Sequence, residues 1–448
     1  MKRNHSAHKL FEIMRIFKLL LLLCSFIPAH AQKVLSIEEA IGTALKNNYD
    51  ILLVKNESES FAVDYRYANA GFLPQLNGEA GTVWNDNNQR QNFTDGRKRS
   101  ANVNSRNISA AVSLDWTLFD GLRMFATRNR LGELKELGEA NVKTQVVNSI
   151  AAVINNYYNI VRQKQQLRAL DTLMTINQER VELAEKKLSV GMGNKPELLQ
   201  AKVDLNAQKA ARMQEETLIQ QLIEQLNQVI GLPINTAYDV SDSIPINLGL
   251  QYGEIAHDFE KTNPGLLASQ KTIEIAKLAL RERKAGLFPT VQFNSAYNFG
   301  RTNNAKVVNP EFQPIFSLNK GFNYGFTATI PILNGFNTRR LIKQAGLDIE
   351  YNKIAYDTQK SRVELGISNS YKDYAYQKKA LQLEEENISL AKENVFIALE
   401  RFRQGVSTYL ELRDAQISLE QAYNRLIAAR YNTKLAETEL LRLKGSLE

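Results

Sequence analysis

Apolar residues recur every seven positions along two long stretches of the chain. Val146, Val153, Ile160, Leu167, Met174, Val181 and Leu188 form the first series, and Ile367, Tyr374, Leu381, Ile388, Val395 and Phe402 form the second. A heptad period sustained over this length predicts long helices packed through coiled-coil-like contacts. Shorter partner series follow at Leu198, Leu205, Ile219 and Leu226 and at Leu412, Leu419, Leu426 and Leu440, with Arg212 and Thr433 at in-register positions between them. A helix from Leu122 to Val190 would be roughly 100 Å long at ~1.5 Å per residue, which no compact globule accommodates. Each long helix ends at a Gly-bearing turn, Ser189 to Asn194 or Arg403 to Ser407, and a new helix starts directly. Two helical hairpins are therefore expected, at 122–230 and 336–444. The stripes read as packing surfaces, and no cofactor is expected from them.

Elsewhere the period falls to two. Ile108, Ala110, Val112, Leu114, Trp116 and Leu118 alternate with small or polar residues, as do Phe322, Tyr324, Phe326, Ala328 and Ile330. Weaker alternation runs from Leu76 to Trp84 and from Val291 to Phe299. Strands are expected at about 75–84, 107–118, 291–299 and 322–331, separated by polar loops from Asn85 to Arg106 and from Gly300 to Lys320. Amphipathic strands of about ten residues with aromatic rings on the apolar side have the chemistry of an outer-membrane barrel. A half-buried sheet on a soluble domain is the alternative. Four strands cannot close a barrel, and an open edge in lipid leaves backbone groups unpaired at high cost. Such a barrel would have to be shared: three chains supply twelve strands, whereas two supply eight and leave little lumen.

The two halves of the chain are related. Ala70-Gly71-Phe72-Leu73-Pro74 lies 215 positions before Ala285-Gly286-Leu287-Phe288-Pro289. At an offset of 214, Phe119-Asp120-Gly121 answers Leu333-Asn334-Gly335, Gly191 answers Gly405, and Gly231 answers Gly445. An internal duplication follows. It divides the chain into a first structural repeat over 32–231, a connector over 232–261 and a second repeat over 262–448.

The first 31 residues have another character. Lys2, Arg3, Lys9, Arg15 and Lys18 precede an apolar run from Leu19 to Ile27, and Ala29-His30-Ala31 has the small residues a signal peptidase needs. An export signal over 1–31 is expected, and an exported chain favours the barrel over the soluble sheet. Cleavage takes away five bases and one acid, lowering the formal net charge from +8 to +4. The basic balance is thus mostly an address, and no nucleic-acid partner is expected. Cys24, His5, His8 and His30 leave with the signal. Leu23 is large where a lipoprotein signal wants a small residue, so lipidation of Cys24 is a minor alternative. Only His257 remains, read as a surface or packed residue, which leaves no inventory for thiol catalysis, Ser/His triads or clustered His or Cys metal sites. An enzyme is the least favoured class. No apolar run after Ile27 approaches the ~20 residues of a membrane helix, so a mature chain that spans a membrane does so with strands. With 44% hydrophobic residues but only 23 Gly and 10 Pro in 448, and no linker-like stretch, an elongated fold fits better than a string of domains.

Several motifs carry a family resemblance. They are the opening Leu35-Ser36-Ile37-Glu38-Glu39-Ala40-Ile41 with Ala44-Leu45-Lys46-Asn47-Asn48, the two Ala-Gly-x-x-Pro segments, and the two Asp/Asn-Gly corners. The last is Gly405 followed by Leu410-Glu411-Leu412-x-Asp414-Ala415-Gln416. In this arrangement the chain resembles the TolC-type outer-membrane efflux proteins, the outer-membrane factor family, over essentially its whole mature length. The resemblance implies a mainly α fold with a membrane β part. Duplicated helical hairpins would form a trimeric α-barrel tunnel, and four strands per chain would join a shared 12-stranded β-barrel in outer-membrane lipid. It implies a passive export duct of a tripartite efflux or type I secretion system, a homotrimer docked to a periplasmic adaptor and an inner-membrane pump. A mixed equatorial region would fall at about Leu232 to Lys261.

The resemblance also places an acidic constriction on Glu411 and Asp414, rings of which would favour cations. Gathering like charges opposes their ionisation, so pH-sensitive conductance is expected. Thr408-x-x-Glu411 is equally a capping box, and Asn194-x-x-Glu197 nearly one, so Glu411 has two readings while Asp414 lies beyond the cap. The gate positions fall on Phe402, Ser407 and Glu197, where Phe402 cannot donate a hydrogen bond and Ser407 has no charge to offer Glu197. Lys195 or Arg403 are substitutes, or packing holds the closed state. Adaptor docking is expected at the hairpin tips, including Gly191, Gly193, Asn194, Pro196, Gly405 and Thr408. The opposing reading is a non-channel periplasmic coiled-coil structural or adaptor protein.

Overall fold

The structure, a computed structural model, describes residues 34–309 and 311–447. The export signal with Cys24, His5, His8 and His30 lies outside the described residues. In chain order the elements are β1 (Val34–Leu35), α1 (Ile37–Asn47), α2 (Tyr49–Arg66), a 3-10 turn (Ala68–Phe72), β2 (Gln75–Asn92), β3 (Lys98–Phe119), α3 (Arg123–Ser189) and α4 (Lys195–Ile230). They continue as β4 (Asp239–Val240), α5 (Tyr252–Ala256), α6 (Phe259–Thr262), α7 (Pro264–Ala285), β5 (Thr290–Asn304), β6 (Phe316–Thr329), α8 (Asn337–Arg403) and α9 (Tyr409–Lys444). Helices α3 and α8 are 67 residues each, and α4 and α9 are 36 each. The chain forms two units, and both long helices contribute to each.

The first unit comprises 34–48, 150–248 and 373–438. Its core is the heptad stripe itself: Leu381, Ile388, Val395 and Phe402 of α8 bury against Leu412, Leu419 and Leu426 of α9, with Leu173 of α3. A smaller cluster joins Val181 to Ala201 and Leu205. The polar residues in register are satisfied in different ways. The buried Thr433 hydroxyl donates to the Ala429 carbonyl of its own helix at 2.7 Å, and Arg212 pairs with Asp171 at 2.7 Å and Glu216 at 2.6 Å. Short parallel strands β1 and β4 pair Leu35 with Val240. The Tyr157 hydroxyl ties them, donating to the Leu35 carbonyl at 2.8 Å and accepting from the Ser241 amide at 3.0 Å.

The second unit comprises 49–149, 249–372 and 439–447. Its sheet is antiparallel throughout, in the order β2-β3-β5-β6, so β2 and β6 are open edges. Cross-strand partners share a face. One face is apolar over five rows that include Leu76-Leu114-Ser295-Tyr324 and Gly78-Val112-Tyr297-Phe322. The opposite face carries Asn77, Ser109, Ser113, Asn294, Asn298, Asn319 and Asn323. Tyr324 and Phe326 are more than 70% exposed, an aromatic surface that none of the described residues covers.

The strands are longer than the alternation predicts. The expected polar loops at Asn85 to Arg106 and Gly300 to Lys320 are largely strand: Asn85 pairs with Ser105, Asn92 with Lys98, and Asn303 with Phe316. Along β2 from Asn85 to Asn92 every residue is polar, so the ladder continues where the period-two signal has vanished. At its other end β6 stops at Thr329, short of the expected 331, where Pro331 can donate no ladder bond. Leu118, placed on the apolar face by alternation, falls in a bulge between Thr117 and Phe119.

A docking device occurs twice. Asn48 Nδ2 donates to the Val229 carbonyl at 2.7 Å in the first unit, and Asn263 Nδ2 donates to the Leu443 carbonyl at 2.8 Å in the second. The glycine that ends each hairpin lies against the same strip of backbone. A Cβ on Gly231 would stand 2.4 Å from the Asn47 carbonyl oxygen, and one on Gly445 2.5 Å from that of Thr262.

Candidate functional site

The hairpin turns are built by caps. Helix α3 ends at Gly191, at a left-handed φ of 77°, with the Met192 and Gly193 amides donating to the Lys187 carbonyl at 2.8 and 2.9 Å. Helix α4 then starts from Asn194, whose side chain accepts from the Glu197 amide at 2.9 Å, with Pro196 in the first turn where a missing N–H costs nothing. Helix α8 ends alike at Gly405, φ 72°, and the Thr408 hydroxyl accepts from the Glu411 amide at 3.3 Å to open α9. Within this unit the turn residues Gly191, Asn194, Pro196, Gly405 and Thr408 are exposed.

Near the turns, four links join the first hairpin to the second. Lys187 Nζ donates to the Phe402 carbonyl at 2.9 Å and lies 3.6 Å from the centre of the Phe402 ring. Arg403 pairs with Glu179 across the hairpins as well as with Glu400 on its own helix. Arg180, only 2% exposed, donates Nη1 to Gln416 Oε1 at 2.9 Å and Nη2 to Asp204 Oδ2 at 2.5 Å. Arg413 Nε reaches the same Asp204 oxygen at 3.2 Å, and Gln200 donates to the other at 2.8 Å. Arg180, Asp204, Arg413 and Gln416 line a cleft of about 360 Å³.

The electrostatics of this cluster has a clear sign. Burial pushes the Asp204 carboxyl up, but hydrogen bonds from Arg180 and Gln200 and the charges of Arg180 and Arg413 outweigh it and hold it below the usual carboxylate range. The ion pair is therefore intact at any pH from neutral to mildly acidic.

Among the described residues the gate positions named from sequence, Phe402, Ser407 and Glu197, are not joined by hydrogen bonds or ion pairs. Phe402 is buried in the α8/α9 core and uses its ring and carbonyl to receive Lys187. Among the described residues, Ser407 Oγ and one carboxylate oxygen of Glu197 are buried without a hydrogen-bond partner, and they do not bond to each other. Of the two substitutes, Arg403 does reach an acid on the other hairpin, though Glu179 and not Glu197; Lys195 is exposed. Only half of the Thr408/Glu411 capping box forms, since the Glu411 carboxylate turns to Arg401 at 3.5 Å. Asp414 is exposed and has no ion pair among the described residues.

Sequence reasoning missed Arg180, Asp204, Arg413 and Gln416. A signal was present: Leu173, Asn177, Arg180 and Ala184 form one buried stripe of α3, so two polar residues stand at core positions. Their partners Asp204 and Gln208 are spaced by one helical turn on α4, and Asn177 Nδ2 donates to Gln208 Oε1 at 2.6 Å.

Residues 40–232 and 256–446 match the family profile of outer membrane efflux proteins. The chain belongs to that family. One relative of this efflux protein is the cation efflux system protein CusC of Escherichia coli (strain K12), 24% identical over 426 residues covering 91% of this chain and 86% of CusC. Another is the probable efflux pump outer membrane protein TtgC of Pseudomonas putida, 21% identical over 428 residues covering 92% of this chain and 83% of TtgC. The crystal structure of the outer membrane protein VceC from Vibrio cholerae has the same fold, with a TM-score of 0.74 at 15% identity over 91% of this chain and 96% of VceC. This efflux protein resides in the outer membrane, and solved structures that share its fold include the outer-membrane channel OprN.

Proposed function

We propose that three copies of this efflux protein close one twelve-stranded barrel and continue it as a helical tunnel, a passive duct for substrates delivered by a periplasmic adaptor and an inner-membrane pump. The observation that carries this reading is the four-stranded sheet: one aromatic face, one face rich in Asn and Ser, and two open edges. From Phe293 to Asn303 the face bearing the aromatic rings runs about 34 Å along the strand at ~3.4 Å per residue, or ~24–28 Å once tilted by ~35–45°, enough to cross much of an outer-membrane apolar band and reach its polar boundary at the Asn303 end. The polar face then lines an aqueous lumen, and a neighbour pairs each open edge.

In this reading the hairpin ends form the entrance. Asp414 and Glu411 line it as acidic rings, and the turns around Gly191 to Pro196 and Gly405 to Thr408 receive the adaptor. The Arg180 cluster, with Lys187 and Arg403, holds the second hairpin against the first, and opening requires these links to part. The cargo is a small solute or ion, as the efflux names of CusC and TtgC suggest, or a polypeptide in a type I secretion system. A coiled coil without a channel has no support from the family match.

The deciding experiment is extraction of the membrane-expressed protein in mild detergent, with its mass measured by light scattering. Three chains per particle are expected. A monomer or dimer that stays soluble without detergent would overturn the duct.

A further inference from the structure

The aromatic face of the sheet carries cations at one end. Arg106, Arg301 and Lys320 lie in three successive rows, Trp84-Arg106-Asn303-Phe316, Thr82-Ile108-Arg301-Leu318 and Ala80-Ala110-Phe299-Lys320. Each is laid over a ring: Arg106 is 5.5 Å from the centre of Trp84, Arg301 5.5 Å from Phe316, and Lys320 5.7 Å from Phe299. All three are exposed, and none has an ion pair or hydrogen bond among the described residues. Asp86, one row beyond, is the only carboxylate on this face of the described strands. An open cleft of about 650 Å³ adjoins Arg106, lined also by Trp84, Asp86, Ile315 and Phe316.

Three unpaired cations on a lipid-facing surface are costly unless they reach the polar boundary or meet an anion. Their position decides between the two leaflets. The helices leave the sheet at the opposite end, after Phe119 and Thr329, so the end bearing the cations points away from the periplasm. We propose that Arg106, Arg301 and Lys320 form a binding site for the phosphorylated headgroup of an outer-leaflet lipid, whose acyl chains lie along the aromatic rows below. Guanidinium groups bind phosphate through paired N–H donors, and the rings beneath hold the side chains extended along the barrel wall, lowering the entropy lost on binding. The inference rests on the outer-membrane barrel reading.

The test uses the full-length detergent-extracted protein reconstituted in phosphatidylcholine nanodiscs doped with bis-phosphorylated lipid A or with the same glycolipid stripped of its phosphates. Native mass spectrometry reads the lipid retained. Retention of the phosphorylated form is expected to exceed that of the stripped form, and the variant carrying R106Q, R301Q and K320Q is expected to lose the preference. The loss should be about fivefold per side chain, roughly a hundredfold in all. The K320R variant is expected to keep the preference, and inorganic phosphate is expected to leave the lipid bound. Equal retention of the two glycolipids by the unaltered protein would overturn the site even if the triple variant failed to fold, as would release by inorganic phosphate. A protein soluble without detergent would instead sink the barrel on which the site rests.

Discussion

Phe402 and Ser407 are five residues apart, and their environments are opposite. The Phe402 ring fills the α8/α9 core and takes the Lys187 ammonium on its face, so Phe402→Ala is expected to cost about 3–5 kcal/mol in thermal or denaturant unfolding. The Ser407 hydroxyl is buried without a partner, so Ser407→Ala should fall within about 0.5 kcal/mol of the parent or stabilise it. A Ser407→Ala loss as large as that of Phe402→Ala would mean that the hydroxyl has a partner in the assembled protein. The acids at the entrance separate in the same way. Asp414 is unpaired whereas Glu411 faces Arg401, so Asp414→Asn is expected to reduce cation preference in planar-bilayer recordings more than Glu411→Gln does. The reverse order would assign the filter to Glu411.

Among elements, the contact between the hairpins depends on Arg180. Its guanidinium is buried on α3 and bridges α4 and α9, so Arg180→Met leaves Asp204 with Arg413 and Gln200 but removes the direct tie to Gln416. A loss of about 2 kcal/mol is expected, below the ~3–5 kcal/mol of a fully broken buried pair, together with raised single-channel conductance. Unchanged conductance in a trimer that still assembles would remove Arg180 from the entrance mechanism. Because the Asp204 carboxyl is held below its ordinary value of about 3.9, the stability it contributes is present above that pH and lost only as pH falls through the lower folded value. Acidification from pH 7 to pH 5 should therefore leave the link closed. A conductance change in that interval would have to come from groups other than Asp204.

The helices were legible because heptad residues form the core: Ile367, Tyr374, Leu381, Ile388, Val395 and Phe402 are all buried, and of the first series Val153, Ile160 and Val181 are buried while Val146, Leu167, Met174 and Leu188 are partly so. The Arg180 cluster was less so, since a charge at a core position acquires meaning only when the partner helix is known. Strand ends were misjudged for a further reason. Alternation records the difference between two faces, and from Asn85 to Asn92 both faces are polar while the ladder goes on.

For the whole molecule, the two-fold repetition is visible in atoms as well as letters, in the paired Asn48 and Asn263 bonds and the close approach at Gly231 and Gly445. Strand order was not visible in the letters, because period-two patterning identifies strands without naming their neighbours. The structure joins the two β-hairpins edge to edge, with Ser105 beside Asn304 and Trp116 beside Phe293. That seam has a consequence in time. Strand β3 must wait for a partner that follows it by almost 200 residues, and at a synthesis rate of ~5–20 residues per second the delay is about 10–40 seconds. For that interval one edge of β3 lacks the strand that pairs it in the finished sheet. The four-stranded sheet is therefore completed only after most of the chain has been made, and its two hairpins exist first as separate two-stranded ribbons.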